Sequence, residues 1–166
     1  MAEYLAITSG KFSYTGLISI TGVYKFIKQF MAEHGYSFNE MNHTEQIFED
    51  GKHINLFILS DNKVNDYAEI DWEISLNFTN CQEVSVEIEG RPVKMHKGSV
   101  SLSVELFQKS NYDKSFEQNA FQYFIRTILD KYVVKNYLNQ TKARAKKDFA
   151  VFMDQAKSYI NLEKFV

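Results

Sequence analysis

Glycine and proline are distributed unevenly along this 166-residue chain, and that distribution limits how the chain can fold. All seven glycines and the single proline, Pro92, precede residue 99. Because glycine and proline interrupt helices more often than other residues, most of the stretch 99–166 can form long helix. The part before it alternates apolar and polar residues, a pattern typical of β-strands. The sequence therefore predicts an α+β fold in which a helical C-terminal segment covers an antiparallel sheet.

The composition indicates one folded domain that spans residues 1–166. Apolar residues make up 45% of the chain and aromatic residues 15%, enough to bury a core without metals or disulfides. The single cysteine, Cys81, excludes an internal disulfide and fits a reducing compartment. No apolar run approaches the ~20 residues that cross a membrane. We therefore expect a soluble, cytoplasmic protein, with the sheet and first helix in residues 1–110 and helices in residues 115–162.

Period-two alternation predicts a curved antiparallel sheet of about six strands. Gly10 is expected to end the first strand, and Pro92 is expected to interrupt the pattern before the last one. Short connections between successive strands favour antiparallel neighbours. The predicted strands cover residues 5–7, 36–49, 52–58, 67–78, 84–88 and 100–106.

The clearest turn in the chain is Asp50-Gly51, a pair that accepts positive φ at both positions of a tight hairpin. A two-residue turn there places His43 opposite Ile58 and sets the register of the whole hairpin. In that register His43 and Glu45 point to the same face, which also carries the apolar residues of the following strand.

Helical spacing of apolar residues predicts one helix after the first strand and a longer helical segment at the end. The first helix is capped by Ser19 or Thr21 and stops before Gly35. Ser115, followed by Gln118, forms a capping box that begins a long helix over residues 115–138. The apolar stripe loses its register near residues 136–141, where we expect a break, and whether the segment is one helix or two stays open.

The order of strand, helix, antiparallel strands and long helix over residues 5–138 resembles helix-grip domains, the START-like and plant pathogenesis-related lipid-binding proteins. The resemblance implies a curved sheet that wraps a long helix around an apolar cavity. The cystatin-like order of strand, helix and strand meander fits the first 109 residues about as well. Residues 97–133 also look like a stretch of small archaeal proteins that have no assigned activity, so this second resemblance implies none.

From this order and from the ring-rich stripes we predict a non-catalytic binding module for an apolar small molecule or lipid. The ligand is expected between the sheet and the long helix, with His43 as its polar anchor. A core filled by the same side chains, with His43 and Glu45 in solvent, is the alternative. The residues expected to line the site are Ile70, Trp72, Ile74, Leu102, Val104, Phe121, Phe124, Ile128 and Tyr132.

Charge is segregated along the chain. Residues 64–90 contain seven acidic side chains and no Lys or Arg, whereas bases concentrate in the C-terminal segment. This separation predicts a second possible role, an assembly or adaptor subunit that binds a protein partner or another copy of itself. A solvated helix face is the simpler alternative. The basic interaction patch would consist of Lys135, Lys142, Arg144, Lys146 and Lys147.

Motifs that carry catalytic or cofactor chemistry are missing from the sequence. The chain has no phosphate-binding glycine loop and no dinucleotide fingerprint. Its four histidines do not follow a metal-ligand spacing, and Cys81 has no second cysteine. The formal net charge of -2 and the lack of a recognition module disfavour nucleic acid. We therefore predict no cofactor, no metal and no catalytic residue, which disfavours an enzyme.

Overall fold

The computed structural model describes residues 3–64, 68–110, 120–129 and 135–162. Within these residues the strands form one antiparallel sheet of five strands, which confirms the α+β class. None of the described helices is long and apolar enough to cross a membrane. The sheet order is β1-β5-β4-β3-β2. The elements are β1 (Glu3–Ile18), α1 (Ile20–Glu33), β2 (Asn39–Phe48), β3 (Gly51–Lys63), β4 (Ala68–Ile88), β5 (Arg91–Ser110), α2 (Ala120–Leu129) and α3 (Lys135–Leu162).

The sheet has five strands rather than six because two predicted strands are parts of β4. The pairing of β4 with β5 shifts between Thr79 and Gln82, where Asn80 adopts φ 55°. Such a bulge changes the phase of the alternation without ending the strand, and asparagine tolerates this conformation well. Pro92 does not interrupt the sheet either, since it pairs with Glu87 at the start of β5.

The prediction that β1 ends near Gly10 is also wrong, because β1 continues to Ile18 along β5. Gly10 serves the packing of α3 instead. A Cβ atom at Gly10 would lie 2.9 Å from Cζ of Phe149 in α3. The missing side chain therefore gives the Phe149 ring space against the backbone of β1.

The β2–β3 hairpin has a different register from the predicted one. Phe48 pairs with Gly51, so Glu49 and Asp50 form the turn, and His43 pairs with Leu56 rather than Ile58. The difference is two residues along the strand. Because side chains alternate with period two, the faces of both strands stay as predicted.

The helices α1 and α3 cover one face of the sheet. The Oγ atom of Ser19 accepts the backbone N–H of Gly22 at 3.1 Å and caps α1, and Gly35 follows its end with φ 77°, as predicted. The buried side chains of α1 are Val23, Ile27, Phe30 and Met31, and those of α3 are Ala145, Phe152, Met153, Ala156 and Ile160.

A long C-terminal helix is confirmed, but the described apolar side chains near the beginning of the predicted helix 115–138 do not cover the sheet. The described part of that segment consists of α2 and the first four residues of α3, and in α2 Phe121 is 74% exposed and Phe124 is 60% exposed. The sheet is covered by α3, which begins at Lys135 and runs through residues 136–141 without the expected break. The apolar residues of α3 recur at helical spacing along one side, and the burial of that side explains why α3 rather than α2 covers the sheet.

The surroundings of Gly98 show how closely β4 and β5 approach each other at the bulge. A Cβ atom there would lie 2.8 Å from Sγ of Cys81 and 2.9 Å from the carbonyl oxygen of Thr79. We expect Gly98→Ala to lower the free energy of unfolding by about 1–3 kcal/mol, because backbone atoms would have to move. Ser101→Ala, an exposed position on the same strand, should change it by less than about 0.5 kcal/mol. Urea denaturation measures both, and equal effects would contradict the tight approach at Gly98.

Candidate functional site

A cleft of about 480 Å³ opens between the beginning of α1 and the strands β2 and β3. Its floor is apolar and consists of Ile54 and Leu56 from β3 with Ile20 from α1. Its rim is polar, and titratable side chains from separate elements converge on it. The rim consists of Thr21, Tyr24, Glu40, His43, Glu45, Lys52 and His96. We call this space the His43 cleft.

A bulge in β2 creates the acidic side of the His43 cleft. The pairing of β2 with β3 shifts between Glu40 and Asn42, so Glu40 pairs with Ile58 while His43 pairs with Leu56. Without the bulge, residues three apart on a strand would point to opposite faces. With it, Oε1 of Glu40 lies 3.3 Å from Nδ1 of His43.

His96 reaches the His43 cleft from a strand that does not neighbour β2 or β3. The β4–β5 hairpin extends beyond Lys52, which pairs with Cys81 near the beginning of β3. On this extension His96 pairs with Glu83 of β4 and Ile18 of β1. The basic side of the cleft is completed by Lys52, whose Nζ lies 2.7 Å from Oε1 of Glu45.

The two close contacts of the rim, Glu40–His43 and Glu45–Lys52, orient side chains more than they stabilise the fold. The side chains of His43 and Glu40 are 47% and 31% exposed, and those of Lys52 and Glu45 are 33% and 43% exposed. Solvent-exposed pairs of this kind contribute about 0–1 kcal/mol. Their effect is to hold each charge next to its partner, so the rim does not present an unpaired lysine.

The pKa values of the rim residues show which groups are neutral near pH 7. Burial, followed by the charge of Lys52, lowers the pKa of His96, against the opposing charge of Glu83. Burial, with a hydrogen bond to Glu40, raises the pKa of Tyr24. The hydrogen bond from Lys52 lowers the pKa of Glu45. The cleft therefore presents the neutral imidazole of His96 and the neutral phenol of Tyr24 beside the Lys52–Glu45 ion pair and the Glu40–His43 contact.

This arrangement suits a molecule with an apolar body and a hydrogen-bonding end. The volume lies within the ~300–1,000 Å³ typical of small-molecule sites, which combine apolar walls with few polar groups. Neutral His96 can donate or accept a hydrogen bond, and the hydroxyl oxygen of Tyr24 can accept one while its hydrogen is donated to Glu40. Glu45 is paired with Lys52, and Glu40 contacts both His43 and Tyr24, so each charged group of the rim already has a partner within the protein.

The structure separates the side chains that were predicted to line one site. His43 lines the His43 cleft, and Ile70 lines a second cavity between the sheet and α3. Phe121, Phe124 and Ile128 are exposed on α2, and Tyr132 lies outside the described residues. The remaining four are fully buried between the sheet and its two helices: Trp72, Ile74, Leu102 and Val104.

The predicted basic patch lies on α3. Lys135, Arg144, Lys146 and Lys147 are exposed there, and Lys142 is half-buried. On the sheet face that the helices leave open, Asp61 pairs across the strands with Asp71. Burial raises the pKa of Asp71, the ammonium of Lys109 opposes that change, and the carboxylates of Asp61 and Glu73 add to it.

The sequence analysis did not predict five of the seven rim residues as parts of a site; it considered Thr21 only as a helix cap, and among the other four only His96 had a recognisable sequence signal. His96 lies an even number of positions before Val100, so a strand extended backwards would have placed it on the covered face. Glu40 required the β2 bulge, which has no signature in the sequence. Tyr24 and Lys52 required the position of α1 relative to the hairpin.

Comparisons with known proteins add no family: no protein-family model and no curated protein matches the chain. Among the residues that the structure describes, no group of three or more His, Cys, Asp or Glu side chains is placed to hold a metal ion.

Lys52 controls the ionisation of the rim, and its removal should shift two pKa values. Lys52→Met removes the hydrogen bond that lowers the pKa of Glu45 and the charge that lowers the pKa of His96. Both pKa values should therefore rise, as measured by NMR titration of the side chains. Lys94→Met is the control, since Lys94 pairs with Glu83 at 3.1 Å. A rise of the Glu45 pKa in the control but not in Lys52→Met would contradict the assignment.

Proposed function

We propose that the protein is a non-catalytic binding module for a small molecule that has an apolar body and an uncharged hydrogen-bonding end. The observation that supports this proposal is the His43 cleft, in which polar groups from α1, β2, β3 and β5 converge above an apolar floor. The proposed ligand is still a small, mainly apolar molecule, as expected from the sequence. The proposed site is now the His43 cleft rather than the space between the sheet and the long helix. Four of the side chains expected to line a cavity between the sheet and its helix are buried in the core: Trp72, Ile74, Leu102 and Val104.

The floor and the rim have separate roles in the proposed complex. Ile20, Ile54 and Leu56 take up the apolar body, and each Å² of apolar surface removed from water contributes ~25 cal/mol before the costs of binding. Tyr24 and His96 bind the polar end as neutral hydrogen-bonding groups. His43, held by Glu40, closes the same end of the cleft.

Probes that share one apolar chain and differ in the charge of the end group test this proposal. We expect hexanol to shift the backbone amide NMR signals of Ile54 and Leu56 saturably, and hexanoate and hexylamine to bind more weakly, because the rim charges are paired. Thr21→Trp places a ring at the exposed rim and should weaken hexanol binding about tenfold or more by occupying the cleft.

Ala32→Trp is the matched control, because Ala32 is exposed on α1 and outside the cleft. It should leave hexanol binding unchanged. The proposal fails if no probe gives a saturable shift at the cleft, or if the two tryptophan variants weaken binding equally.

A second candidate function, assembly through opposite charges, is favoured by the crowded carboxylates of the open sheet face. Burial raises the pKa of Glu69, and contact with Asp61 adds to that rise. A basic partner would therefore stabilise the ionised forms of these acids. The exposed bases of α3 supply such a surface on another copy. A heterologous contact of this kind joins different surfaces of two identical molecules.

Sedimentation velocity at low and high salt tests assembly. We expect oligomers at low ionic strength that dissociate when salt screens the charges over ~10 Å at 0.1 M. Lys146→Gln combined with Lys147→Gln should weaken the oligomer, whereas Lys25→Gln, an exposed base on α1, should not. A monomer at every ionic strength would exclude this second function.

A further inference from the structure

A second cavity, of about 320 Å³, lies between the beginning of α3 and the adjoining ends of β3 and β4. Its apolar wall includes Ile70 of β4 and Ala145 of α3, both buried in the core. It shares no lining residue with the His43 cleft. The volume is near the lower end of the range for small-molecule sites, so an occupant has to be small.

The described charged residues that line this second cavity, Lys63 and Arg144, are both bases, and none of the described lining residues is an Asp or Glu. Lys63 follows Asp61 by two residues on β3 and so belongs to the open face of the sheet, which leaves Arg144 as the base on the side of α3. Arg144 is exposed, and no described carboxylate lies within ion-pair distance of its guanidinium. A planar guanidinium donates two parallel hydrogen bonds to a carboxylate or a phosphate, which a lysine cannot do.

Neutral polar side chains line the cavity together with Arg144. The side-chain amide of Asn62 donates to the carbonyl of Gly35 at 2.6 Å, which fixes its orientation at the cavity. Thr141 donates its hydroxyl hydrogen to the carbonyl of Tyr137 at 3.0 Å. Gln140 also lines the cavity and can donate a further hydrogen bond.

Among the described residues, Asp148 is an acid close to the cavity, and it already accepts a hydrogen bond. Tyr36, at the cavity wall, donates its hydroxyl hydrogen to Oδ2 of Asp148 at 2.9 Å. Burial, followed by the charge of Asp148, raises the pKa of Tyr36, so the phenol stays neutral. Asp148 thus has a buried donor as its partner, and Arg144 stays available to an external anion.

We propose that this cavity binds a small organic anion whose carboxylate or phosphate group contacts Arg144 and whose apolar part lies against Ile70 and Ala145. Gln140, which also lines the cavity, donates a further hydrogen bond to the anion. The size of the cavity fits one ring or a short chain and excludes a polymer. This site is independent of the ligand proposed for the His43 cleft.

Calorimetric titration with benzoate, phenyl phosphate, inorganic phosphate and benzyl alcohol tests the proposal. At least one of the two aromatic anions should bind saturably and shift the backbone NMR signals of Asn62 and Thr141. Benzyl alcohol should bind at least about tenfold more weakly, because it lacks the charge-assisted hydrogen bonds. Inorganic phosphate should bind more weakly than phenyl phosphate, because it lacks the apolar part. Preference for benzoate or for phenyl phosphate identifies the anionic group.

Arg144→Gln should weaken binding of the preferred anion about tenfold or more. Lys147→Gln is the matched control, since Lys147 is exposed on the same helix, lies outside the cavity lining and changes the net charge equally. Its effect should stay below about twofold. The proposal is overturned if neither aromatic anion binds, if benzyl alcohol binds as well as they do, or if both variants weaken binding to the same extent. Unchanged unfolding midpoints of both variants show that the comparison concerns the site.

Discussion

Packing around the indole ring of Trp72 holds both covering helices to the sheet, and the remaining structure depends on it. The ring is fully buried and lies 5.6 Å from that of Phe152 in α3 and 6.4 Å from that of Phe30 in α1, between ring centroids. Tyr36, which follows α1, packs edge-on against the same indole at 5.2 Å. Full burial of one large apolar side chain contributes about 1.5–3 kcal/mol, and the aromatic contacts add to that. This centre is filled by rings, and the two cavities proposed as ligand sites lie where the helices leave the sheet.

Both cavities lie at such margins. The His43 cleft opens where α1 begins, and the second cavity opens where α3 begins. In the His43 cleft, an irregularity in a strand positions a polar side chain. The bulge between Glu40 and Asn42 places the carboxylate of Glu40 next to His43. Regular strands alone would have placed these two groups on opposite faces. The centre of the sheet is therefore regular and filled with apolar side chains, whereas its margins are irregular and carry the polar groups.

Residues 115–138 were expected to cover the sheet, but α3 covers it. This difference shows what an amphipathic pattern can and cannot indicate. The stripes of α2 and α3 both have the period of a helix that buries one side. In the described residues α3 buries that side against the sheet, while Phe121 and Phe124 of α2 remain exposed. Periodicity indicates that a side of the helix is apolar, and it does not identify the surface that the side contacts. The prediction that residues 115–138 cover the sheet failed at this step, although a long helix in the C-terminal part was expected correctly.

Local interactions determined what the sequence alone could predict: the α+β class, the alternation that forms the strands, the Ser19 cap and Gly35 stop of α1, and the shared face of His43 and Glu45. Each depends on residues a few positions apart, where steric limits and side-chain period decide the outcome. The tertiary structure decided which helix covers the sheet, where the strands bulge, and which side chains meet in the two cavities. Glu40, Lys52 and His96 converge only because distant strands pair and helices pack, and those choices depend on the summed burial of the whole core rather than on any short stretch of sequence.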